Sequence, residues 1–136
     1  MTIEPENIRS FRLNLMQNMD ILYLEDEVND AALVRRYVQT IPLTIAIMDT
    51  VEAAQTALLT SSPALILVDL MLNKRRDGFE FIRSSRALGY QQPIVAITGL
   101  ALPHDIEQCF SAGCTEMILK PYTIGQLEAL IKRYLP

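Results

Sequence analysis

The chain has 136 residues, half of them apolar, and a net charge of −4, which bounds it to one ordinary domain with enough apolar matter for one core. No basic stripe runs along it, which argues against direct nucleic-acid binding. Glu4 and Glu6 with no apolar h-region rule out a signal peptide, and the longest apolar run, residues 94–102, is too short to cross a bilayer, so a cytoplasmic protein is expected.

Residues 1–18 read as an extension: either a short helix with Ile8, Phe11, Leu15 and Met16 on one face, or a tail. The domain proper is expected over 19–136. Short runs rich in Ile, Leu and Val fall at 20–24, 43–48, 64–68, 94–97 and 114–119, the pattern of strands buried on both faces of a parallel sheet. Helical spacing lies between them. Residues 28–40 carry Ala31, Val34, Val38 and Ile41; residues 51–60 carry Val51, Ala54, Ala57 and Leu58; residues 78–88 carry Phe79, Ile82 and Leu88. Asp49, with Thr50, is expected to cap the second of these. Pro103 suits the first position of a helix ending near Ala112, and Gly113 suits its stop. Thr123 and Gln126 predict a capping box before a last helix whose buried stripe is Ile124, Leu127, Leu130, Ile131 and Tyr134. Five strands alternating with five helices predict a doubly wound α/β domain.

In such sheets ligands bind beyond the carboxyl ends of the strands. The first run ends in Glu25 and Asp26, the third in Asp69, the fourth in Thr98 and the fifth in Lys120. Two acids, an acid, a hydroxyl and an amine therefore arrive at one edge. Crowded carboxylates repel one another unless a cation sits among them, and oxygen ligands at a partly open site suit Mg²⁺. Beside that ion, Lys120 and Thr98 would hold a phosphoryl group while Asp69 acts as nucleophile. The plainer alternative is that Glu25, Asp26 and Glu27 only begin a helix, where acids are favoured. It leaves Asp69 after five apolar residues, and Lys120 before a proline, without a reason.

Across "LYLEDE", "ALILVDL", "DGFEFI", "IVAITG" and "AGCTEMILKPY", in order, the chain resembles the receiver domain of two-component response regulators over about residues 19–135. The resemblance implies a flavodoxin-like five-stranded parallel sheet in the order 2-1-3-4-5. It implies that Glu25 and Asp26 hold Mg²⁺, with Asp26 the direct ligand and Glu25 acting through water, and that Asp69 is the phosphoacceptor. It further implies that the Met71 backbone carbonyl joins the metal, Thr98 swings onto the phosphoryl group, Lys120 pairs with it, and Lys120-Pro121 is cis. A histidine kinase or histidine phosphotransfer protein would be the donor. A protein target would bind the face formed by the fourth helix, fifth strand and fifth helix. The chain would be a monomer or a dimer promoted by phosphorylation, and its only catalysis would be gain and loss of its own phosphoryl group.

The chain departs from that pattern in three places. The loop from Asp69 to Asp77-Gly78 is one residue longer than usual, lacks its proline and carries Lys74, Arg75 and Arg76, which read either as a solvated loop or as a partner contact. Position 117, three before the lysine, is Met where Tyr or Phe is usual, so the switch pair becomes Thr98 and Met117. No output module follows the last helix, so a single-domain receiver is expected. Rival readings are a pseudo-receiver binding proteins without phosphorylation, an aspartate-nucleophile phosphatase, and a flavodoxin-like cofactor binder. The complete Asp69, Thr98 and Lys120 set opposes the first. Met71 stands where the second needs an acid, and the third lacks its Ser/Thr-rich phosphate loop. His104 is expected to be exposed and without duty. Cys109 and Cys114 fit no metal or redox spacing and are expected to be reduced core residues.

Overall fold

A computed structural model describes residues 19–136; the extension expected over 1–18 lies outside the described residues. Among them five strands alternate with five helices: β1 (Ile21–Leu24), α1 (Val28–Val38), β2 (Ile45–Met48), α2 (Val51–Thr60), β3 (Leu65–Val68), α3 (Asp77–Ala87), β4 (Ile94–Thr98), α4 (Pro103–Ala112), β5 (Glu116–Leu119) and α5 (Ile124–Tyr134). The sheet order is β2-β1-β3-β4-β5 and every pairing is parallel. This is the flavodoxin-like order expected from the sequence.

Alternate residues of each strand serve opposite layers, because strand side chains point to opposite faces. Leu22, Leu24, Ile66, Val68, Ile94 and Ala96 pack with Ala54 of α2, Phe79 and Ile82 of α3, and Cys109 and Ala112 of α4. Ile21, Tyr23, Leu65, Leu67, Val95 and Ile97 pack with α1 and α5 through Val34, Leu127, Leu130 and Ile131. Burying one large aliphatic side chain contributes about 1.5–3 kcal/mol, so two such layers dominate the driving force. The three inner strands are wholly buried, while β2 and β5, at the edges, are half-buried apart from Leu119, which is exposed.

Local signals set most of the helix ends. Pro103 opens α4, and Gly113 ends it in the left-handed region at φ 115°. Thr123 and Gln126 exchange both bonds of a capping box. At α2 the cap is Thr50, whose Oγ1 accepts from the Ala53 N–H (3.1 Å), and not Asp49. A hydroxyl one residue nearer the helix reaches the free N–H directly. Ile124 and Leu88, expected on buried stripes, are exposed; Ile124 is the first residue of α5 and Leu88 caps the C-terminus of α3.

Strand register fixes where the functional edge forms. Leu24 is level with Val68, so Glu25 and Asp69 leave neighbouring strands side by side. Thr98 is level with Leu119, so Lys120 leaves β5 one residue beyond the level of Thr98. Gly78 lies hard against this edge. A Cβ there would lie 2.1 Å from the Asp69 carbonyl oxygen and 2.6 Å from the Leu70 Cα. The start of α3 can cross the exit of β3 only because residue 78 has no side chain.

Candidate functional site

Lys120 is the hub of the edge. Its Nζ donates to Glu25 Oε1 (2.5 Å), Asp30 Oδ2 (2.8 Å) and Asp69 Oδ2 (2.8 Å). The peptide that follows it, Lys120-Pro121, is cis. Glu25 is 2% exposed and Asp69 7%, whereas the Lys120 side chain is 16% exposed at the mouth. The other Asp69 oxygen, Oδ1, accepts from the Met71 N–H (3.0 Å). One ammonium thus faces three carboxylates.

Burial pushes the Glu25 carboxyl up to about 7; hydrogen bonding to Lys120 opposes this, and the charge of Asp69 adds to it. Crowding was the cause expected from the sequence, and desolvation proves the larger one. The Tyr23 hydroxyl donates to Glu25 Oε1 (3.3 Å), and burial followed by the Glu25 charge pushes its ionisation upward. For Lys120, burial favours the neutral amine, but its three carboxylate partners prevail and hold the ammonium charged above the usual lysine range.

Oxygen ligands are therefore concentrated here. Glu25, Asp30 and Asp69 present carboxylate oxygens all within 4.8 Å of one another. Among the described residues the buried Glu25 Oε2 has no hydrogen-bond partner, and a buried carboxylate oxygen left without one is costly. This donor set fits a hard dication that takes oxygen ligands and keeps some of its waters.

The other expected residues take distinct places. Asp26 is half-buried, and its Oδ2 accepts from the Asn73 N–H (2.7 Å) rather than from Lys120. Thr98 is fully buried, with its Oγ1 accepting from the Leu100 N–H (3.1 Å). Met117 is partly buried against the layer that holds α2, α3 and α4. The sequence reading gave Asp30 no role. The signal was present: helical side chains lean toward the helix N-terminus, so an acid in the first turn after β1 leans back over the strand edge.

The longer loop folds into a tight turn. Leu72 and Arg75 exchange backbone hydrogen bonds (2.8 and 2.9 Å), with Asn73 and Lys74 between them at φ 51° and 61°. Lys74 and Arg75 are exposed. Arg76 is not simply solvated: it donates to Asp105 Oδ1 (2.8 Å) and Gln108 Oε1 (2.7 Å) of α4, and stacks 4.4 Å from the Phe79 ring centroid. His104 is largely exposed, as expected, with Nε2 3.3 Å from Asp105 Oδ1.

A doubly wound sheet with an aspartate, a lysine and an acidic cluster at its carboxyl edge defines a class of signalling domain. The family model for the response regulator receiver domain matches residues 21–132, and the chain belongs to that family. Among curated relatives it is 30% identical over 125 residues to the transcriptional regulatory protein RprY of Bacteroides fragilis, covering 89% of this chain and 52% of that protein. It is 27% identical over 136 residues to the sensor histidine kinase CheAY of Helicobacter pylori, covering 96% of this chain and 16% of that protein. The chain thus spans about half of the first relative and a smaller part of the second.

Solved structures agree on the fold. The BeF3-activated receiver domain of Klebsiella pneumoniae RstA superposes with a TM-score of 0.76 at 24% identity, covering 85% of this chain and 97% of that one. Vibrio cholerae CheY4 gives 0.78 at 19% identity, covering 86% and 98%. The receiver domain of the sensor histidine kinase PA1611 from Pseudomonas aeruginosa, solved with magnesium coordinated in its active-site cleft, gives 0.76 at 24% identity, covering 86% and 97%. Among the described residues no helix is long and apolar enough to cross a membrane.

Proposed function

We propose that the chain receives a phosphoryl group on Asp69 from a phosphohistidine of a histidine kinase or histidine phosphotransfer protein, in the cytoplasm, and passes the signal on by altered protein binding. The observation that carries this reading is the Asp69 carboxylate, held by the Met71 N–H through one oxygen and by the Lys120 ammonium through the other. In the transfer, the P–N bond to the donor imidazole breaks and a P–O bond to Asp69 forms, and the imidazole, already protonated at its other ring nitrogen, leaves as the neutral base. Lys120, already beside Asp69, neutralises charge on the phosphoryl oxygens. Positioning and charge neutralisation are most of what this reaction requires.

Glu25, Asp26, Asp69 and the Met71 carbonyl would hold Mg²⁺, and Asp30 is close enough to take part. When bound, the dication neutralises phosphoryl charge that Lys120 alone cannot. Thr98 then turns from the Leu100 N–H toward the phosphoryl group, and Met117 repacks into the space released. The face built by α4, β5 and α5 carries Phe110, Leu119 and Ile124 exposed, which suits a protein target.

The test is Mg²⁺-dependent labelling with acetyl phosphate. Wild type should gain one acid-stable, base-labile phosphoryl group and Asp69→Asn none. Equal labelling of the two, or labelling unaffected by chelator, overturns the assignment.

A further inference from the structure

The C-terminus of α4 carries chemistry that phosphoryl transfer does not use. With Gly113 in the left-handed region, the Gly113 N–H donates to the Phe110 carbonyl (3.0 Å) and the Cys114 N–H to the Cys109 carbonyl (3.2 Å). This is a Schellman closure, which brings the residue after the glycine against one in the helix's last turn. Two apolar side chains usually meet there. Here the pair is Cys109 and Cys114, both free thiols and both buried, with their sulfurs against one another and the Cys109 thiol donating to Cys114 Sγ.

A fixed cation lies alongside. The Arg86 guanidinium donates through Nε to the Gly113 carbonyl (2.9 Å) and through an amino group to Thr115 Oγ1 (3.3 Å), the residues before and after Cys114, and its charge acts on the Cys114 thiol. Aliphatic packing alone would not require a paired thiol donor or a cation held over that position. Adjacent thiols beside a positive charge are the arrangement from which dithiols oxidise.

We propose that Cys109 and Cys114 are a peroxide-responsive dithiol that closes to an intrachain disulfide across the junction between α4 and β5. Cys114 is the attacking sulfur. Its thiol is held below the usual range, first by the hydrogen bond from Cys109, against burial, and then by Arg86. The same hydrogen bond, with burial, keeps Cys109 protonated. In the first step the Cys114 thiolate attacks a peroxide oxygen. The O–O bond breaks, Cys114 becomes a sulfenic acid, and the released hydroxide takes the proton that the thiol gave up. In the second step Cys109 sulfur attacks the sulfenic sulfur. The S–O bond breaks and hydroxide leaves with the Cys109 proton as water. The balance is one dithiol and one hydrogen peroxide giving one disulfide and two waters. The backbone already holds the two residues together, so closure requires only side-chain adjustment.

The experiment treats reduced protein with a few equivalents of hydrogen peroxide, denatures it, and counts free thiols with N-ethylmaleimide by mass spectrometry. Both thiols should disappear together with no gain of oxygen on either cysteine. The chain should remain monomeric on a non-reducing gel, and dithiothreitol should restore both thiols. Cys109→Ser should leave a Cys114 sulfenic acid that dimedone captures, and Cys114→Ser should lower the rate of thiol loss at least tenfold. Two maleimides on peroxide-treated wild type, or thiol loss only through links between chains, overturns the proposal; this readout needs no variant to fold.

Discussion

Removing the Lys120 ammonium while keeping most of its stem, as in Lys120→Met, tests whether it is the counter-ion that makes the acidic edge tolerable. The three carboxylates it bonds, at 2.5–2.8 Å, would be left facing one another. Taking one partner from a buried ion pair costs about 3–5 kcal/mol. The Asp30 side chain is 44% exposed, so water screens part of the repulsion and the lower end applies. Glu25, already raised to about 7, relieves a further part by taking up a proton near neutral pH. A loss of about 3 kcal/mol is expected in metal-free buffer at pH 8, and a smaller one at pH 6. With a urea slope of about 2 kcal/mol per molar, the midpoint should fall by about 1.5 M at pH 8. Magnesium should restore much of it, because a ligand at 100 times its dissociation constant stabilises by about 2.7 kcal/mol. Urea melts of wild type and Lys120→Met, followed by circular dichroism with chelator and with Mg²⁺ at both pH values, give the four comparisons. A variant as stable as wild type in chelator, or equally stabilised by Mg²⁺, would refute the reasoning.

The remaining predictions use other parts of the same edge. Gly78→Ala should destabilise by at least about 2 kcal/mol in thermal melts, because its Cβ meets the Asp69 carbonyl oxygen at 2.1 Å, and should also slow acetyl phosphate labelling; unchanged stability would mean α3 can shift freely. The folded-state Glu25 carboxyl lies above its unfolded value, so its contribution is fully present below about pH 4.5 and is lost as pH rises through about 7; metal-free stability should fall across that window in wild type, and the slope should flatten in Glu25→Gln. The half-buried Met71 and Leu100 bring apolar surface to the positions two residues after Asp69 and Thr98, so a Met71→Asn, Leu100→Glu variant should lose phosphate roughly tenfold faster, about 1.4 kcal/mol in barrier, when the decay of purified phosphoprotein is followed.

The element types, their order and several of the side chains that meet at the carboxyl edge could be read from the chain itself. A run such as "ALILVDL" states its own burial, and parallel strands put whatever follows each run on one side, so Glu25, Asp69 and Lys120 converge as a consequence of topology. Contacts between elements distant in sequence needed the tertiary structure. Asp30 joins Lys120 across 90 positions, Arg76 reaches Asp105 across 29, and the Asn73 N–H finds Asp26 across 47. None of these has a local spacing that announces it. Where each acid points was likewise decided by packing: Glu25 and Asp26 are adjacent and chemically alike, yet one is buried against Lys120 and the other accepts from a backbone turn. The cysteines show the same limit at short range. Five residues apart, they match no motif, and only the left-handed Gly113 brings their sulfurs together. Periodicity and composition report burial and local geometry, whereas pairing across the fold depends on how helices settle on the sheet.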